Sequence, residues 1–287
     1  MITIKMSCII NNGSAYKIKD NPREDLLALE MVENIFKKRR AHIISMPKKG
    51  SSVVCCMSGG MDTVANAAIL MEEFNFKIYP LFINRGQTNY RWEKESVEFF
   101  DSFFSSRYPT LYNKYIEIQL DTPPIAYKNN LRNTKKMTDN PVLRSNVAYP
   151  ARNPIIALTA MEYAYSLQSK GVFAKTIFAV HTADDPVLHS TLTAVRMANL
   201  LMCQITSDFN WQFISLPIEK EFGNYYGKEV MVKWCAENNI PIEKSRSCYK
   251  DQQNHCGECF PACQNRKEAF KKAGVHDKTI YNQNEGF

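Results

Sequence analysis

The stretch VVCCMSGGMDTVANAAILMEEF, residues 53–74, decides the fold. It opens with a short apolar run, breaks at Ser58-Gly59-Gly60 and continues with helical periodicity. A strand, a glycine turn and a helix in this order are the repeating unit of a parallel α/β sheet. Ligands of such sheets bind beyond the carboxyl ends of the strands, where this turn would lie. The stretch therefore predicts a strand-to-helix unit and a ligand loop.

The same alternation of patterns continues along the chain. Strands separated by helices of this length predict an α/β fold with a mostly parallel, doubly wound sheet. An edge strand is predicted in ITIKMSCII, and the polar residues 121–150 are interpreted as a long loop. The predicted strands are 53–57, 77–84, 114–120, 175–181 and 211–217, and the predicted helices are 23–43, 63–74, 91–106, 154–169, 187–203 and 225–238.

Composition predicts three regions. Residues 1–50 would form an N-terminal strand-helix extension, and residues 51–244 the α/β domain. From about Ser245 the chain becomes polar and rich in cysteine, so residues 245–287 are predicted to form a small C-terminal module.

The charge of the chain is mildly basic, with 36 Lys+Arg against 29 Asp+Glu and a net charge of +7. That excess suits an anionic small ligand, but no basic block is interleaved with aromatic residues, so nucleic acid is not expected as a partner. The segment KKRR at 37–40 is interpreted as cations at a helix C-terminus. No apolar stretch reaches the roughly 20 residues that span a bilayer, and residues 1–10 lack a signal-peptide pattern. We expect a cytoplasmic protein without a membrane partner.

The nine cysteines fall into two groups. In a cytoplasmic protein they are not expected to form a disulfide framework. Four of them cluster near the C-terminus, and Cys-x-x-Cys spacing supplies two thiolates at the separation that tetrahedral zinc requires. His255 is an alternative ligand, and four unliganded cysteines are the alternative to a metal site. The cluster comprises Cys248, Cys256, Cys259 and Cys263, whereas Cys8, Cys55, Cys56, Cys203 and Cys235 lie in apolar segments and are predicted to be core residues.

The glycine turn is suited to bind phosphate. Two glycines let the backbone approach a ligand closely, and the N–H groups of the loop and of the first helical turn form an anion site. Ser58 and Thr63 add hydroxyl groups, while Asp62 would cap the helix or bind a metal ion. The lysine of a Walker loop and the G-x-G-x-x-G dinucleotide pattern are both missing. An ordinary strand-to-helix turn is the alternative.

In this context the turn resembles the PP-loop of ATP pyrophosphatases, whose usual sequence is Ser-Gly-Gly-x-Asp-Ser, with Thr63 in place of the last serine. The resemblance implies an adenine nucleotide α-hydrolase-like fold for residues 51–244. It also implies cleavage of ATP between the α and β phosphates, with Asp62 orienting Mg²⁺. The ATP-binding residues that it implies are Met57, Ser58, Gly59, Gly60, Asp62, Thr63, Gly86 and Gln87.

Three further stretches resemble 7-cyano-7-deazaguanine synthases, the QueC family. NRGQ (84–87) stands where that family has Tyr-Gly-Gln, and YPARNPIIALTAMEYA (149–164) resembles its Val-Pro-x-Arg-Asn helix start. Taken alone, Asn153 could simply cap that helix, with Pro154 at its first position. SRSCYKDQQNHCGECFPACQNRKEAF (245–270) resembles the family's Ser-Cys-Tyr, Cys-Gly-x-Cys-x-x-Cys and Arg-x-x-x-Phe run, with one extra residue before Cys263. The resemblance implies a structural zinc knuckle.

One stretch departs from the family. ADDPVLHSTLTAVRM (183–197) stands where the family has Asp-Tyr-Ser-Gly-Tyr-Pro-Asp-Cys-Arg, and only Asp185 can match its first aspartate. That region shapes the deazapurine pocket in the family, and the first fifty residues are additional to the usual core. Both departures indicate a divergent branch, such as the QueC-like proteins of anti-phage defence operons.

The resemblance implies an ATP-dependent ligase that adenylates a 7-carboxy-7-deazaguanine-like acid and couples it to an amine, giving an amide or a nitrile. The alternatives are transfer to the amine of a partner protein, a PP-loop tRNA thiolase, and a nucleotide-binding subunit without catalysis. The family also implies a homodimer or a subunit of a complex. The implied catalytic residues are Asp62, Arg152, Asp185 and Lys228, and the implied substrate-binding residues are Arg152, Asn153 and Asp185.

Overall fold

The computed structural model describes residues 24–120, 152–181, 190–223 and 227–282. Their order is strand and helix in alternation, as predicted. In chain order the elements are α1 (Leu26–Arg40), β1 (Ser52–Cys56), α2 (Met61–Glu72), β2 (Lys77–Asn84), α3 (Tyr90–Arg107), β3 (Ile116–Gln119), α4 (Arg152–Ser166), β4 (Thr176–Phe178), α5 (Leu192–Thr206), β5 (Gln212–Ile214), α6 (Lys228–Glu237) and α7 (Ala262–Ala273).

The chain divides into two compact units. Unit 1 comprises residues 1–54 and 121–226, and unit 2 comprises residues 55–120 and 227–287. These units are defined by contacts, whereas the predicted boundaries after residues 50 and 244 follow composition and motifs, so those boundaries stay a prediction. The predicted edge strand near the N-terminus, the predicted loop 121–150 and Asp185 lie outside the described residues.

The five strands lie in the order β3-β2-β1-β4-β5. In unit 2, β2 and β3 are parallel, with Leu81 opposite Ile116. In unit 1, β4 and β5 are parallel, with Ile177 opposite Phe213. The predicted class, a mostly parallel α/β sheet with flanking helices, is confirmed.

Local backbone chemistry explains where predicted and observed helix ends differ. The helix predicted to run to residue 43 ends at Arg40, because Ala41 adopts a left-handed conformation with φ 64°. The helix predicted from residue 187 begins at Leu192, because Thr191 is its N-cap and accepts a hydrogen bond from the Ala194 N–H at 3.1 Å. The basic residues 37–40 form the last turn of α1, as predicted.

Each unit buries its own apolar residues. In unit 1, Leu29, Val32 and Phe36 of α1 are buried, and in unit 2 the aromatic rings of Phe100 and Phe104 are buried. Core positions were predicted for five cysteines; Cys55, Cys203 and Cys235 are buried, Cys56 is half-buried and Cys8 lies outside the described residues. Among the described residues, no helix combines the length and the apolar character that crossing a membrane requires.

Candidate functional site: a glycine loop and a cysteine cluster

Ser58, Gly59 and Gly60 connect β1 to α2 in unit 2. Gly59 has a φ of +72°, and a Cβ at this position would lie 2.8 Å from the backbone oxygen of Glu93. Both observations require glycine, because other residues rarely adopt this φ and no side chain fits the gap. The loop therefore lies directly against helix α3.

The carbonyl oxygen of Gly59 is held by two groups that are distant in sequence. It accepts hydrogen bonds from the Ser96 hydroxyl at 2.8 Å and from the Arg246 backbone N–H at 2.7 Å. Both donors lie in unit 2, one on α3 and the other just before the cysteine cluster. Sequence reasoning did not identify Ser96 or Arg246, because neither position belongs to a motif that marks such a contact. With its carbonyl held on this side, the loop has a defined shape without a ligand.

The hydroxyl group of Thr63 stabilises the loop through hydrogen bonds to its backbone. The Thr63 hydroxyl donates to the Gly60 carbonyl at 3.0 Å and accepts a hydrogen bond from the Ser58 N–H at 3.3 Å. Gly60 is the N-cap of α2, and no side chain in the described structure caps that helix. The N–H groups of the first helical turn are therefore suited to receive an anion.

Asp62 and Lys228 lie beside this loop. Asp62 is in the first turn of α2, and Lys228 is the first residue of α6. The Lys228 Nζ lies 3.8 Å from the Asp62 Oδ2, and both side chains are partly exposed. The structure therefore brings two predicted catalytic residues together, with one carboxylate and one cation next to the predicted phosphate loop.

The NRGQ loop after β2 is closed by its own side chains. The Asn84 Oδ1 accepts from the Gly86 N–H at 2.9 Å, and the Gln87 Oε1 accepts from the Arg85 N–H at 2.8 Å. Gly86 has a φ of +62°, which the turn requires. The Gln87 Nε2 donates to the Glu93 Oε2 at 2.7 Å. The side chain of Gln87 thus has a structural role here, and ATP contacts from Gly86 and Gln87 stay a prediction.

Glu93 connects this loop to the cysteine cluster. Burial raises the pKa of its carboxyl group, although hydrogen bonds from Gln87 and Asn89 act in the opposite direction. The Asn89 Nδ2 donates both to Glu93 and, at 3.0 Å, to the backbone oxygen of Cys248. The start of α3 therefore contacts both the NRGQ loop and the first cysteine.

The four C-terminal cysteines converge, as their spacing predicted. Their sulfur atoms all lie within 4.8 Å of one another. Four thiolates on zinc at about 2.3 Å would lie about 3.8 Å apart. Two of the sulfur pairs are already at 3.9 Å, Cys256 with Cys263 and Cys259 with Cys248. The extra residue before Cys263 does not prevent the cluster from forming.

Backbone N–H groups donate hydrogen bonds to sulfur atoms of the cluster. The sulfur of Cys248 accepts hydrogen bonds from the N–H groups of Lys250 and Cys256, each at 3.4 Å, although burial outweighs them and raises the pKa of this thiol. Burial opposes ionisation of Cys256, but hydrogen bonds from the backbone N–H groups of Glu258 and Cys259 outweigh it and lower the pKa of that thiol to about 7. These donors suit a cluster that could hold a metal ion through sulfur.

His255 does not take the place of a cysteine. Its Nε2 accepts a hydrogen bond from the Ser247 N–H at 3.0 Å, so that nitrogen is already occupied. Burial and the nearby guanidinium groups of Arg266 and Arg246 lower the pKa of His255 to about 3. The group of side chains that could hold a metal ion comprises the four cysteines without His255. His255 is a neutral residue that supports the backbone of the cluster.

The predicted substrate residues Arg152 and Asn153 lie in unit 1, at the start of α4. The Arg152 Nε donates to the Asn153 Oδ1 at 3.1 Å. The Asn153 Nδ2 lies 3.1 Å from the His181 Nδ1 and donates to the Ser190 Oγ at 2.9 Å. His181 and Ser190 were not identified from the sequence, because their contacts with Asn153 join distant segments.

A family model described as "Queuosine biosynthesis protein QueC" matches residues 52–274, well over half of the chain. The match covers the glycine loop and all four clustered cysteines. It begins after helix α1.

Curated relatives agree with that match. A 7-cyano-7-deazaguanine synthase of Thermoplasma volcanium is 27% identical over 240 residues, which are 83% of this chain and 92% of the relative. The enzyme of the same name from Nautilia profundicola is 28% identical over 235 residues, with 80% of this chain and 98% of the relative covered. At this level of identity the chain is a divergent relative of both.

Among solved structures, the U34-tRNA thiolase NcsA from Methanococcus maripaludis with its [4Fe-4S] cluster is 14% identical and has a TM-score of 0.38. The alignment covers 85% of this chain and 72% of the thiolase. That likeness is too distant to bear on function.

Proposed function

The chain belongs to the QueC family of queuosine biosynthesis proteins, and on that premise we propose that it is an ATP-dependent carbon–nitrogen ligase. A carboxylate oxygen of a 7-carboxy-7-deazaguanine-like substrate attacks the α-phosphorus of ATP, and pyrophosphate leaves. An amine nitrogen then attacks the carbonyl carbon of the mixed anhydride and expels AMP, which leaves an amide. A second ATP would activate that amide, whose oxygen departs with AMP to give the nitrile that the relatives' name describes.

The observation that carries this proposal is the shape of the glycine loop. The Gly59 carbonyl is held by Ser96 and Arg246, and the first-turn N–H groups of α2 have no side-chain cap in the described structure. These N–H groups would bind the phosphates of ATP, with the Ser58 and Thr63 hydroxyls beside them. Catalysis of this kind depends on positioning and electrostatics and needs no covalent protein nucleophile. Met57, Gly86 and Gln87 are proposed to contact the rest of the nucleotide.

Asp62 and Lys228 are proposed to help neutralise the negative charge of the phosphates. The Asp62 carboxylate would hold Mg²⁺, which supplies positive charge against the phosphates when bound. The Lys228 ammonium, 3.8 Å from that carboxylate, is a second positive charge at the same place. Both would stabilise the charge on departing pyrophosphate.

The cysteine cluster is proposed to bind structural zinc. All four sulfurs would be ligands, which leaves no open position for substrate. The cluster lies next to Arg246, whose backbone N–H holds Gly59. Zinc would therefore act on the reaction indirectly, by fixing the segment that supports the loop.

The substrate side of the reaction is proposed to use Arg152, Asn153 and Asp185. Arg152 supplies a cation for the carboxylate, and Asp185 would accept from the purine-like N–H edge. The proposal for Asp185 rests on the resemblance to the family. Ammonia is the proposed amine, and a partner protein's amine, in an anti-phage setting, is the alternative that the resemblance raises.

The thiolase alternative requires a reactive cysteine outside a metal site. Burial raises the pKa of the Cys55 thiol to about 12 and also raises the pKa of Cys235. Thiols with raised pKa values are poor nucleophiles near neutral pH. The cysteines of the described regions therefore favour a ligase over a thiolase.

The proposal is tested by measuring pyrophosphate and AMP from ATP, Mg²⁺ and 7-carboxy-7-deazaguanine, with and without ammonium. We expect AMP only when the acid is present, and deazaguanine amide or nitrile when ammonium is added. A matched reaction with deazaguanine lacking the carboxylate should form no AMP. Tight ATP binding without acid-dependent AMP formation would reject the ligase in favour of a nucleotide-binding subunit.

A further inference from the structure

Helix α1 lies before residue 52, where the family match begins. Within unit 1 it nevertheless packs along α5. Helix α5 begins at Leu192, within the stretch 183–197 that departs from the family pattern. A helix outside the matched region thus packs on a helix that begins inside the departing stretch.

The attachment begins at Glu24. Its Oε1 accepts from the Leu192 N–H at 2.8 Å, and its Oε2 accepts from the Thr193 N–H at 3.0 Å and the Thr193 hydroxyl at 2.7 Å. Both carboxylate oxygens thus accept hydrogen bonds from the first turn of α5. A carboxylate at this position also interacts favourably with the helix dipole.

A second attachment lies one turn further along. Arg196 of α5 is buried, and its Nε donates to the Glu33 Oε1 of α1 at 3.3 Å. Its Nη2 donates to the Glu219 Oε2 at 2.9 Å. Because a buried guanidinium needs both partners, the register of α1 on α5 is well determined.

Ser190, the residue before the N-cap Thr191 of α5, in turn contacts Asn153. The Asn153 Nδ2 donates to the Ser190 Oγ at 2.9 Å. An arginine Nε can only donate, so the oxygen of the Asn153 amide faces Arg152 and its nitrogen faces Ser190 and His181. The His181 Nδ1 must then accept, which places the ring proton on Nε2. One amide therefore orients Arg152 and His181 together.

We infer that Glu24 is a positioning residue for Arg152 and Asn153. Its carboxylate holds the Leu192 and Thr193 amides, which keeps the first turn of α5 closed and Ser190 in place for Asn153. The substrate role of Arg152 and Asn153 in this inference rests on the proposed function.

The positioning step is tested first without ligand, by amide exchange in nitrogen-15 spectra of the full chain. Glu24→Gln keeps the shape but removes the charge, and the Leu192 and Thr193 amides should exchange about tenfold faster. The Asn153 side-chain amide should also exchange faster. Asp25→Asn is the matched control, because Asp25 caps α1 through the Ala28 N–H and asparagine caps equally well. Unchanged Asn153 exchange in a folded Glu24→Gln protein would overturn the inference.

A double-mutant cycle tests the consequence for the reaction. Glu24→Gln and Ser190→Ala should each raise KM for the carboxylate about tenfold and leave KM for ATP unchanged, because both act on the same amide. The double variant should be little worse than either single variant. Additive effects, or equal effects on both KM values, would overturn positioning through Ser190.

Different experimental results would reject the proposed function and the positioning role of Glu24. Absence of acid-dependent AMP formation by the unaltered protein would reject the proposed function, while the exchange experiment would still decide whether Glu24 positions Asn153. Normal AMP formation in Glu24→Gln with unchanged KM for the carboxylate would reject the positioning role alone.

Discussion

The carboxylate of Asp62 and the ammonium group of Lys228 lie 3.8 Å apart in unit 2, at the first turns of α2 and α6. Asp62 lies two residues after the glycine loop, and Lys228 is the first residue of α6. Two charges from distant parts of the chain therefore meet at the N-termini of two helices. A lysine at this position adds positive charge where phosphate is proposed to bind.

Lys228→Met should lower kcat for acid-dependent AMP formation by about tenfold to a hundredfold, because one charge that stabilises departing pyrophosphate is lost. Lys233→Met is the matched control: Lys233 lies on the same helix, is exposed and pairs only with Glu237 in the described structure. Steady-state pyrophosphate release measures both. Equal effects of the two variants would contradict a specific role for Lys228.

Gly59→Ala should destabilise the protein by about 3 kcal/mol, because it combines a left-handed φ with a Cβ 2.8 Å from the Glu93 oxygen. Gly274→Ala separates these two causes. Gly274 has a φ of +66° but no atom within 4 Å of its Cβ position, so its cost should be about 1 kcal/mol. Urea unfolding of both variants gives the difference, and equal costs would show that the contact with Glu93 is not tight.

The cysteine cluster should retain one equivalent of zinc per chain through purification. Changing Cys256 and Cys259 together to serine should abolish the bound metal and lower the melting temperature, because two of four ligands are lost. Cys235→Ser is the control, since Cys235 is buried outside the cluster. Elemental analysis of freshly purified protein measures the metal, and a chain without stoichiometric metal would refute the site.

His255 should make stability depend on pH. Its folded pKa of about 3 lies below the ordinary value of 6.5. Between these two pH values the unfolded chain therefore binds a proton at His255 that the folded chain does not bind. This contribution is fully present above the unfolded pKa and is lost as the pH falls through 6.5 towards 3. Between pH 7.5 and 6 it should cost about 0.8 kcal/mol. His255→Gln should remove this part of the pH dependence in urea unfolding, and an unchanged profile would contradict a buried neutral imidazole.

The buried pair of Arg196 and Glu219 should matter far more than an exposed pair. Glu219→Gln leaves a buried guanidinium with one carboxylate fewer and should cost about 3–5 kcal/mol. Glu268→Gln breaks the exposed pair with Lys272 and should cost less than about 0.5 kcal/mol. Similar losses in the two variants would show that Arg196 is not buried as described.

Much of the fold could be predicted from the sequence. The strand at 77–84 was predicted with the bounds that the structure has, because its apolar run is long and ends at a turn residue. The glycine loop was found from Ser58-Gly59-Gly60, because a positive φ and a close approach leave glycine as the residue that fits. Helix ends were less predictable. Helix α5 starts after its N-cap Thr191, but other polar residues nearby in the sequence are equally suited to be an N-cap.

The candidate site was predictable in part. Loop residues and cysteines follow from short spacings, and the structure brings the predicted Lys228 to Asp62. The role of Gln87 was less accessible, because its side chain is bound by Glu93 and a neighbouring amide. The contacts of Ser96 and Arg246 with the loop could not be identified from the sequence. A serine on an amphipathic helix and an arginine near cysteines are both expected on a protein surface, so neither residue stands out.

By itself, the sequence determined the α/β class, the loop after β1 and the four-cysteine cluster, because each depends on residues that are close in the chain and on local backbone chemistry. Tertiary structure alone decided which distant groups meet: Ser96 and Arg246 at the Gly59 carbonyl, and Glu24 at the first turn of α5. Such contacts depend on how helices pack and in which register. Packing joins segments whose separation along the chain carries no information about their distance in space.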